Sequence, residues 1–500
     1  MRYILAFWIL GSLAAATYAQ PSPHVIWDRS GAQDSSRYGA VILPLGDQNN
    51  DGYADWAVFA AGGMGNSTDR PYMEFFHGGN PMPTQPYLTY YGIGRGAGVV
   101  GDVNGDGYVD WYGRTGAQPG YYRFSIYFGG PNADTLPDWS ITEPDDGGWF
   151  GSLGDFNGDG YADVFYYHDV PGDYVEVFYG GSPMDTLPDW TLHSTPPHSQ
   201  EAAPQACGDL NGDGYSDFVT CRGLNGTTYI FLGGTHPDTL PAYTWPNMPS
   251  LPLGIVKDMN GDHFNDLVYY NGDIHFGGLA MRSVPDVTLE FPCTEVNAFE
   301  AVSAGDFNHD GYNDVILLRN YCTNSNWGVL SLFLGSPQIS PQPAFTIEGL
   351  TPPLNLHSVW TAAGLGDVNG DSIDDIAIGA LDDLDYLGWR GRCIVVAGDT
   401  TLRVEAHDLP VPIPRKLEVS VYPNPFNGQT VIQLEVPAGV SRITLTTYNL
   451  LGQQVAQKVI PANPGSNRYT YDGRGLSSGI YLLRAQAGQY VTAQKLMLLR

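Results

Sequence analysis

Short apolar runs separated by glycine, proline and aspartate recur along most of the chain, and they follow one order. A run of small and apolar residues, such as 149–154, precedes a polar loop, and an aromatic or β-branched run, such as 164–167, follows it. A third run ends in aromatic-Gly-Gly, as at 177–181, and a short fourth run follows a turn, as at 189–192. Runs of this length bounded by turn residues are typical of β-strands, so the pattern predicts four strands in each repeat.

The polar loop carries a nine-residue motif, D-x-N-x-D-G-Y-x-D, that marks the repeat. Its seven copies, here loops one to seven, begin at Asp47, Asp102, Asp155, Asp209, Asp258, Asp306 and Asp367, at spacings of 55, 53, 54, 49, 48 and 61 residues. These spacings are close to the length of a four-stranded propeller blade. Four strands cannot bury both faces alone, so the repeats must pack side by side, closed into a ring or open as a solenoid. The segment 24–27 looks like a fourth strand that precedes the first repeat, which favours a ring in which it completes the last blade.

The loop motif and the aromatic-Gly-Gly ending together resemble a known family. They alternate in register over the seven repeats, although the sixth repeat ends in 334–336 and the last in 395–398, without the full ending. This arrangement is similar to the FG-GAP, or integrin α-chain N-terminal, propeller family over residues 24–406. The resemblance implies an all-β fold, a seven-bladed β-propeller with calcium-binding hairpin loops, which we place at residues 20–408.

The repeated loops have the composition of a calcium site. Calcium binds six to eight hard oxygen atoms, which side chains at positions 1, 3, 5 and 9 and the carbonyl of position 7 would supply. Position 6 is a glycine that suits a left-handed turn, but it is His263 in loop five and Ser372 in loop seven, so we expect these loops to bind most weakly. The predicted ligands of up to seven Ca²⁺ are Asp47, Asn49, Asp51, Tyr53, Asp55, Asp102, Asn104, Asp106, Tyr108, Asp110, Asp155, Asn157, Asp159, Tyr161, Asp163, Asp209, Asn211, Asp213, Tyr215, Asp217, Asp258, Asn260, Asp262, Phe264, Asp266, Asp306, Asn308, Asp310, Tyr312, Asp314, Asp367, Asn369, Asp371, Ile373 and Asp375.

Other loop types share the opening of this motif. An EF-hand needs a bidentate glutamate at position 12, whereas none of the seven loops has an acidic residue there, as Tyr166 of loop three illustrates. Paired dockerin-type loops are excluded for the same reason and because they occur in twos. The remaining alternative is that the Asx-rich turns only satisfy their own backbones.

Composition and charge agree with a metal-binding repeat protein. The chain has 63 glycines and 37 prolines, with only 15% charged residues, as expected for short strands and tight turns. The formal net charge of −30 argues against a nucleic-acid partner. The loops contain three aspartates each, which is 21 of the 53 acidic residues. Much of the net negative charge therefore comes from the predicted calcium ligands.

The five cysteines follow no zinc-like spacing. In an exported chain disulfides are permitted, and Cys207 with Cys221 could face each other across one hairpin, while Cys293 with Cys322 could bridge within the next repeat. The alternative is that all five, including Cys393, are small buried apolar residues.

The N-terminus predicts export. Arg2, the apolar run 4–16 and the small-x-small site at 17–19 form a signal peptide over residues 1–19, with the mature chain beginning near Gln20. An N-terminal membrane anchor is the alternative, but the apolar run is shorter than the roughly 20 residues that span a bilayer. We expect no transmembrane segment elsewhere.

The C-terminal region predicts a separate domain. A proline-rich linker at 409–416 leads into residues 417–500, which alternate like a small Ig-like β-sandwich. Four ordered motifs resemble the type A sorting domain of type IX secretion: YPNPFN at 422–427, YNLLGQ at 448–453, LSSGIY at 476–481 and KLMLLR at 495–500. The resemblance implies passage across the outer membrane by the type IX secretion machinery, removal of the domain, and release or attachment at the cell surface. An ordinary Ig-like binding module is the alternative.

The sequence shows no catalytic constellation separate from the loops. His193, His198 and Glu201 are the best isolated candidates, and a solvated loop between repeats explains them equally well. We therefore expect a secreted or surface-displayed monomer that binds protein or polysaccharide through the face opposite the calcium loops, and we favour a binding protein over an enzyme. The alternatives are a secreted polysaccharide lyase or hydrolase and a passive spacer.

Overall fold

The computed structural model consists of strands and loops, with no helix among the residues it describes. These are residues 23–32, 36–62, 70–94, 96–144, 147–169, 174–193, 203–222, 226–248, 252–291, 300–319, 328–348, 356, 359–381, 384–385, 388–402, 417–422, 424–437, 440–462, 465–488 and 490–499. The chain divides into two compact units, Met1–Glu405 and Ala406–Arg500. No helix in the described residues is long and apolar enough to cross a membrane.

The strands of the first unit are short, as the spacing of turn residues predicts. In chain order they are β1 (Val25–Ser30), β2 (Tyr38–Gly46), β3 (Asp55–Ala60), β4 (Tyr72–Phe76), β5 (Leu88–Tyr91), β6 (Ala97–Gly101), β7 (Asp110–Gln118), β8 (Tyr121–Tyr127), β9 (Trp139–Pro144), β10 (Trp149–Gly154), β11 (Asp163–His168), β12 (Tyr174–Phe178), β13 (Trp190–His193), β14 (Gln205–Gly208), β15 (Asp217–Arg222), β16 (Thr227–Phe231), β17 (Tyr243–Trp245), β18 (Pro252–Val256), β19 (Asp266–Tyr269), β20 (Asp273–His275), β21 (Val287–Thr288), β22 (Glu300–Gly305), β23 (Asp314–Arg319), β24 (Val329–Phe333), β25 (Phe345–Glu348), β26 (Val359–Gly366), β27 (Asp375–Ala380), β28 (Leu384–Asp385), β29 (Gly388–Trp389) and β30 (Arg392–Val396).

Within the described residues these strands form seven four-stranded antiparallel sheets and one small hairpin. Six sheets use four consecutive strands: β2 to β5, β6 to β9, β10 to β13, β14 to β17, β18 to β21 and β22 to β25. The seventh has the order β1-β30-β27-β26, and β28 pairs with β29.

The first strand of each sheet contacts the first strands of its two neighbours. The contacts run from β2 through β6, β10, β14, β18 and β22 to β26, and β26 contacts β2 again. These strands carry the small residues that close approach requires. A Cβ added to Gly364 in β26 would lie 2.3 Å from the carbonyl oxygen of Ser303 in β22. The arrangement is propeller-like, with the first strands innermost.

Apolar side chains fill the space between neighbouring sheets. One cluster joins Val100 and Tyr112 of one sheet to Phe150 and Tyr166 of the next. Because each sheet shares a core with its neighbours, no sheet is stable alone, which is the expected energetics of a repeat protein.

The first strand of the chain completes the last sheet. β1 pairs antiparallel with β30, with Asp28 opposite Ile394, so the predicted pairing of segment 24–27 with the repeat of Asp367 is confirmed. Trp27 is 7% exposed and packs against Trp56 of the first repeat. Its indole N–H donates to the carbonyl of Pro83 (2.8 Å).

The same tryptophan hydrogen bond occurs between other neighbouring sheets. The indole of Trp139 donates to the carbonyl of Asp185 (2.6 Å), and that of Trp190 donates to the carbonyl of Pro237 (3.1 Å). Each bond joins the fourth strand of one sheet to the turn of the next. Trp27 therefore joins the last sheet to the first sheet in the way that Trp139 and Trp190 join their own sheets to the next.

A partly buried ion pair adds to the closure. The Arg29 guanidinium donates to both carboxylate oxygens of Glu74 (2.8 and 2.9 Å), and the hydroxyl of Tyr38 donates to the same carboxylate (2.8 Å). Burial and the Glu74 carboxylate raise the pKa of Tyr38 well above its ordinary value, so the phenol stays protonated as a donor.

The second unit has seven strands in two sheets. They are β31 (Glu418–Tyr422), β32 (Gln429–Val436), β33 (Arg442–Asn449), β34 (Gln454–Pro461), β35 (Gly465–Asp472), β36 (Gly479–Ala487) and β37 (Tyr490–Leu498). One sheet has the order β31-β32-β35 and the other β34-β33-β36-β37, with a shared apolar core. Asn424 ties the first sequence motif to the last, because its amide donates to the carbonyl of Lys495 (2.7 Å) and accepts from the N–H of Met497 (2.7 Å).

The register of the fourth repeat contradicts the expected facing of Cys207 and Cys221. Gln205, the first residue of β14, lies opposite Val219, and Gly208 lies opposite Asp217, with a bulge between. Cys221 therefore lies beyond the part of β15 that pairs with β14 and does not face Cys207. Both thiols are buried, which agrees with the alternative of apolar packing. The predicted signal peptide at 1–19, the linker at 409–416, and the residues His198, Glu201, Cys293 and Cys322 lie outside the described residues.

Replacing Trp27 by phenylalanine should weaken the closure. The change removes the indole hydrogen bond and part of the buried ring, so we expect the free energy of unfolding to fall by about 1–3 kcal/mol in urea denaturation of the full chain. Trp149→Phe is the matched control, because Trp149 is 60% exposed and its replacement should change the free energy by less than about 0.5 kcal/mol. Equal effects at both positions would contradict a stabilising role for β1.

Candidate metal centres in the repeated loops

All seven predicted loops connect the first strand of a sheet to its second strand. Loop three follows β10, which ends at Gly154, and its last residue, Asp163, begins β11. The same placement holds for the other six loops. The predicted ligands of each loop are therefore gathered at one end of each sheet, as the sequence predicted.

The position-1 carboxylate organises the loop backbone. In loop three, Asp155 Oδ1 accepts from the N–H groups of Gly158 (2.6 Å) and Asp159 (3.1 Å), and Oδ2 accepts from Gly160 (3.0 Å). These bonds hold the carboxylate over the turn and satisfy N–H groups that no strand uses.

Positions 3 and 5 form two consecutive Asx turns. The Asn157 amide oxygen accepts from the N–H of Asp159 (2.8 Å), and Asp159 Oδ1 accepts from the N–H of Tyr161 (3.0 Å). The Asn157 amide also donates to Asp159 Oδ2 (2.9 Å). Loop seven differs, because the amide of Asn369 donates to the position-9 carboxylate of Asp375 (3.1 and 3.2 Å).

The position-9 aspartate has a structural role that sequence reasoning missed. Asp163 is fully buried, its Oδ2 accepts from the N–H of Phe156 at position 2 (2.8 Å), and its Oδ1 accepts from the N–H of Gly180 at the end of the third strand (2.9 Å). The same two bonds occur in every loop, through Asp55, Asp110, Asp163, Asp217, Asp266, Asp314 and Asp375. The separation along the chain between this aspartate and the glycine that it binds varies from 11 to 23 residues, so no fixed spacing in the sequence signals the contact.

The Gly-Gly ending joins each sheet to the preceding loop. The first glycine has no space for a side chain, since a Cβ on Gly180 would lie 2.5 Å from a carbonyl oxygen. The second, Gly181, donates to the carbonyl of Val103 in the preceding loop (2.8 Å). The last repeat has Gly398 and Asp399 at these positions in place of Gly-Gly. Both hydrogen bonds are kept, because the N–H of Gly398 donates to Asp375 and that of Asp399 donates to the carbonyl of Phe307.

Neighbouring loops are also bonded directly. The N–H of Ala162 at position 8 donates to the carbonyl of Asp102 at position 1 of the preceding loop (2.8 Å), and loop one is bonded to loop seven in the same way. Loop one is unusual on its other side, where the Gln48 amide oxygen accepts from Gly130 (2.6 Å) and its amide N–H donates to Val109 (3.1 Å). Opening one loop therefore also breaks its hydrogen bonds to the neighbouring loop.

Burial and mutual repulsion act on the loop carboxylates. Burial raises the pKa of Asp110, Asp163, Asp217 and Asp375 to about 7 and that of Asp314 to about 8, and carboxylates at positions 5 and 1 add to the rise. Among the described residues, no lysine or arginine is paired with the carboxylates of loops two, three and four. A bound cation would relieve this repulsion.

The donor set suits calcium better than a transition metal. No group of three or more His, Cys, Asp or Glu side chains in the described residues converges as a metal cluster. A site would have to combine carboxylate, amide and carbonyl oxygens, which is the ligand chemistry of Ca²⁺. The assignment of the 35 ligands stays a prediction.

Position 6 adopts the left-handed conformation in all seven loops. The glycines have φ between 90° and 93°, while His263 and Ser372 have φ of 74° and 68°. These two residues keep the loop geometry although a side chain resists it. If loops five and seven bind calcium more weakly, as expected, the cause would be backbone strain at these two residues and not a different loop shape.

The isolated histidine candidate lies away from the loops. His193 ends β13, and its ring is 5.6 Å from that of Tyr174, which stacks at 4.0 Å on His168. The imidazole Nε2 of His168 is 3.0 Å from the carboxylate of Glu176. This cluster lies at the end of the sheet opposite loop three.

Comparison with known proteins identifies the C-terminal domain. Residues 420–499 match the family model of the secretion system C-terminal sorting domain. The predicted sorting domain is thus confirmed, and the chain is exported by type IX secretion to the cell surface or the medium. A solved structure described as the crystal structure of BBS1N in complex with ARL6DN, soaked with mercury, has 11% sequence identity and a TM-score of 0.38, covering 77% of this chain and 99% of that chain. At this TM-score we infer nothing from the likeness.

Restoring glycine at position 6 should stabilise the two exceptional loops. We expect His263→Gly and Ser372→Gly each to raise the free energy of unfolding by about 1 kcal/mol, because left-handed strain is removed. Urea denaturation with chelator present measures the backbone effect without metal. The reciprocal change, Gly160→Ser, should destabilise by a similar amount, and a neutral result there would contradict the strain argument.

Proposed function

We propose that the mature chain is an exported seven-bladed β-propeller of the FG-GAP type that binds up to seven calcium ions and recognises a protein or polysaccharide ligand outside the cell. The observation that supports it most is the repetition of one hydrogen-bond pattern in seven loops at the same end of seven sheets. A pattern of this kind places similar oxygen atoms seven times in similar positions, which ordinary turns do not require.

Calcium binding would account for the concentration of negative charge in the loops. Asp155, Asn157, Asp159 and Asp163 would hold the ion in loop three, together with the carbonyl of Tyr161. Bound calcium supplies a central positive charge that draws these oxygens together. Extracellular calcium modules bind at roughly 10⁻⁴ to 10⁻³ M, so about 2 mM free calcium would contribute on the order of 1–2 kcal/mol for each site. Seven sites would contribute about 10 kcal/mol, comparable with the net stability of a whole domain.

The ligand-binding part of the proposal concerns the opposite end of the sheets. Trp149 and Trp360 lie at the beginnings of first strands, far from the loops, and are 60% and 43% exposed. Exposed tryptophans on a rigid sheet offer apolar contact area with a hydrogen-bond donor, which suits protein and sugar surfaces. Type IX export brings this surface into contact with such partners.

A binding array tests the ligand proposal. The purified full chain is applied to immobilised glycans and extracellular proteins in calcium buffer, and the products of any bound polysaccharide are then analysed. We expect binding that Trp149→Ala or Trp360→Ala weakens, while Leu450→Ala in the sorting domain leaves it unchanged. Cleavage of the bound polysaccharide would favour the enzyme, and binding unaffected by both tryptophan changes would contradict the proposed surface.

Chelation should lower the melting temperature steeply if calcium binds the loops. Asp159→Ala should cost more stability than Asp262→Ala, because loop five already carries the strained His263. Both costs should be smaller in chelator, where only the hydrogen bonds of the Asx turns are lost. Asp163→Ala should remain destabilising without metal, since two buried N–H groups lose their acceptor, at about 2–5 kcal/mol. Calorimetry with and without calcium measures all three. A melting temperature indifferent to chelator in metal-free protein would contradict calcium binding.

Removal of residues 417–500 should block export without unfolding the first unit. The two units have separate cores, so the truncated chain should accumulate inside the cell envelope with its sheets intact. Fractionation with protease-resistance assays measures both properties, and deletion of only the last residue is the matched control. Surface display of the truncated chain would contradict the assignment of the sorting function to this segment.

A further inference from the structure

Five loops contain Asn-Gly at positions 3 and 4. In this dipeptide the backbone nitrogen of glycine can attack the asparagine side chain with little hindrance, so it loses its amide more readily than other asparagine sequences. The five pairs are Asn104-Gly105, Asn157-Gly158, Asn211-Gly212, Asn260-Gly261 and Asn369-Gly370. Loops one and six have Asn49-Asn50 and Asn308-His309 instead.

The glycine at position 4 is closely packed in these five loops, whereas loops one and six hold Asn50 and His309 there, also in the left-handed region. Gly105 has a φ of 77°, and a Cβ added to it would lie 2.4 Å from the ring of Tyr161 in the next loop. The other four glycines meet the position-7 aromatic ring of the next loop in the same way. Packing between loops therefore favours a chemically labile dipeptide in these five loops.

The position-1 carboxylate holds the nitrogen that would attack. The N–H of Gly158 donates to Asp155 Oδ1 at 2.6 Å, and the corresponding distance is 2.7 Å in loop two and 2.6 Å in loops four, five and seven. Removing this proton would place a negative nitrogen against a carboxylate, which like-charge repulsion opposes. In loop six, the N–H of His309 donates instead to the backbone carbonyl of Asp306 (3.3 Å).

The group that would be attacked is also held. The amide oxygen of Asn157 accepts from Asp159 N–H (2.8 Å), and its amide nitrogen donates to Asp159 Oδ2 (2.9 Å). The side chain must leave both partners before its carbonyl carbon can meet the glycine nitrogen.

We propose that these five asparagines are latent deamidation sites, closed to reaction while the position-1 aspartate binds the glycine N–H. When a loop opens, the glycine nitrogen gives its proton to solvent and forms a bond to the asparagine Cγ. The bond from Cγ to Nδ2 breaks, ammonia leaves with a proton from water, and a succinimide results. Water then adds to either carbonyl and gives aspartate or isoaspartate. The first product adds a carboxylate at position 3, and the second lengthens the backbone by one carbon and displaces the rest of the loop.

The chain contains a matched control for the carboxylate. Asn271 precedes Gly272 in a hairpin turn, and its amide bonds to Asp273 in the way that Asn157 bonds to Asp159 (2.7 and 3.2 Å). Gly272 has a φ of 88°, but its N–H donates to the neutral carbonyl of Tyr269 (2.9 Å). The comparison between the two sites uses this difference in acceptor, a neutral carbonyl at Gly272 and a carboxylate at Gly158.

Peptide mapping by mass spectrometry tests the proposal on the full chain. The chain is incubated in mildly alkaline buffer, folded or in urea, with and without chelator. In urea the five loop sites and Asn271 should deamidate at similar rates. In the folded chain the loop sites should be at least about tenfold slower than Asn271, because their reaction must wait for local opening. Equal rates at loop sites and Asn271 in the folded chain would overturn the proposal.

A single substitution identifies the guarding group. Asp155→Ala should accelerate deamidation of Asn157 while the other four loop sites in the same chain keep their rates, and Asp155→Asn, which keeps an acceptor without charge, should give an intermediate rate. An unchanged rate at Asn157, or an equal acceleration at all five sites, would overturn the guarding role. If the variants do not fold, the comparison with Asn271 in the unmodified chain decides.

Discussion

The buried aspartate that ends each loop is the interaction on which the first unit depends. One carboxylate group binds the N–H at position 2 of its loop and the N–H that follows the third strand. It thereby joins the first three strands of a sheet at one point. An uncompensated carboxylate in such a place costs several kcal/mol, so the surrounding N–H groups and any bound cation must offset that cost. The loop is therefore part of the core of the sheet as well as a possible ligand site.

The parts of the fold that local chemistry determines could be predicted from the sequence. Turn residues at fixed offsets gave the strand order, and the early strand at Trp27 predicted how the last sheet is completed. Glycine at position 6 predicted the left-handed turn, which His263 and Ser372 also adopt.

Contacts between distant repeats could not be read in this way. The amide of Gln48 replaces a backbone acceptor for Gly130, a partner 82 residues away, and no periodicity points to it. The structural role of Asp163 was hidden because a calcium ligand and a buried hydrogen-bond acceptor require the same residue type. The expected facing of two cysteines failed because Gln205 pairs with Val219, which leaves Cys221 two residues beyond the part of its strand that pairs with β14.

Completion of the last sheet by the first strand bears on how such a chain can change in evolution. An open array of repeats has two ends, so a duplicated repeat can be added at either end with its neighbours unchanged. In this molecule the contacts from β2 to β26 return to their starting point, and Val25 pairs with Val396. One more or one fewer repeat would alter the angle between every pair of sheets at once. Gene duplication can therefore lengthen this chain only by rebuilding all its interfaces together, whereas substitutions at the exposed ends of the sheets can accumulate one at a time.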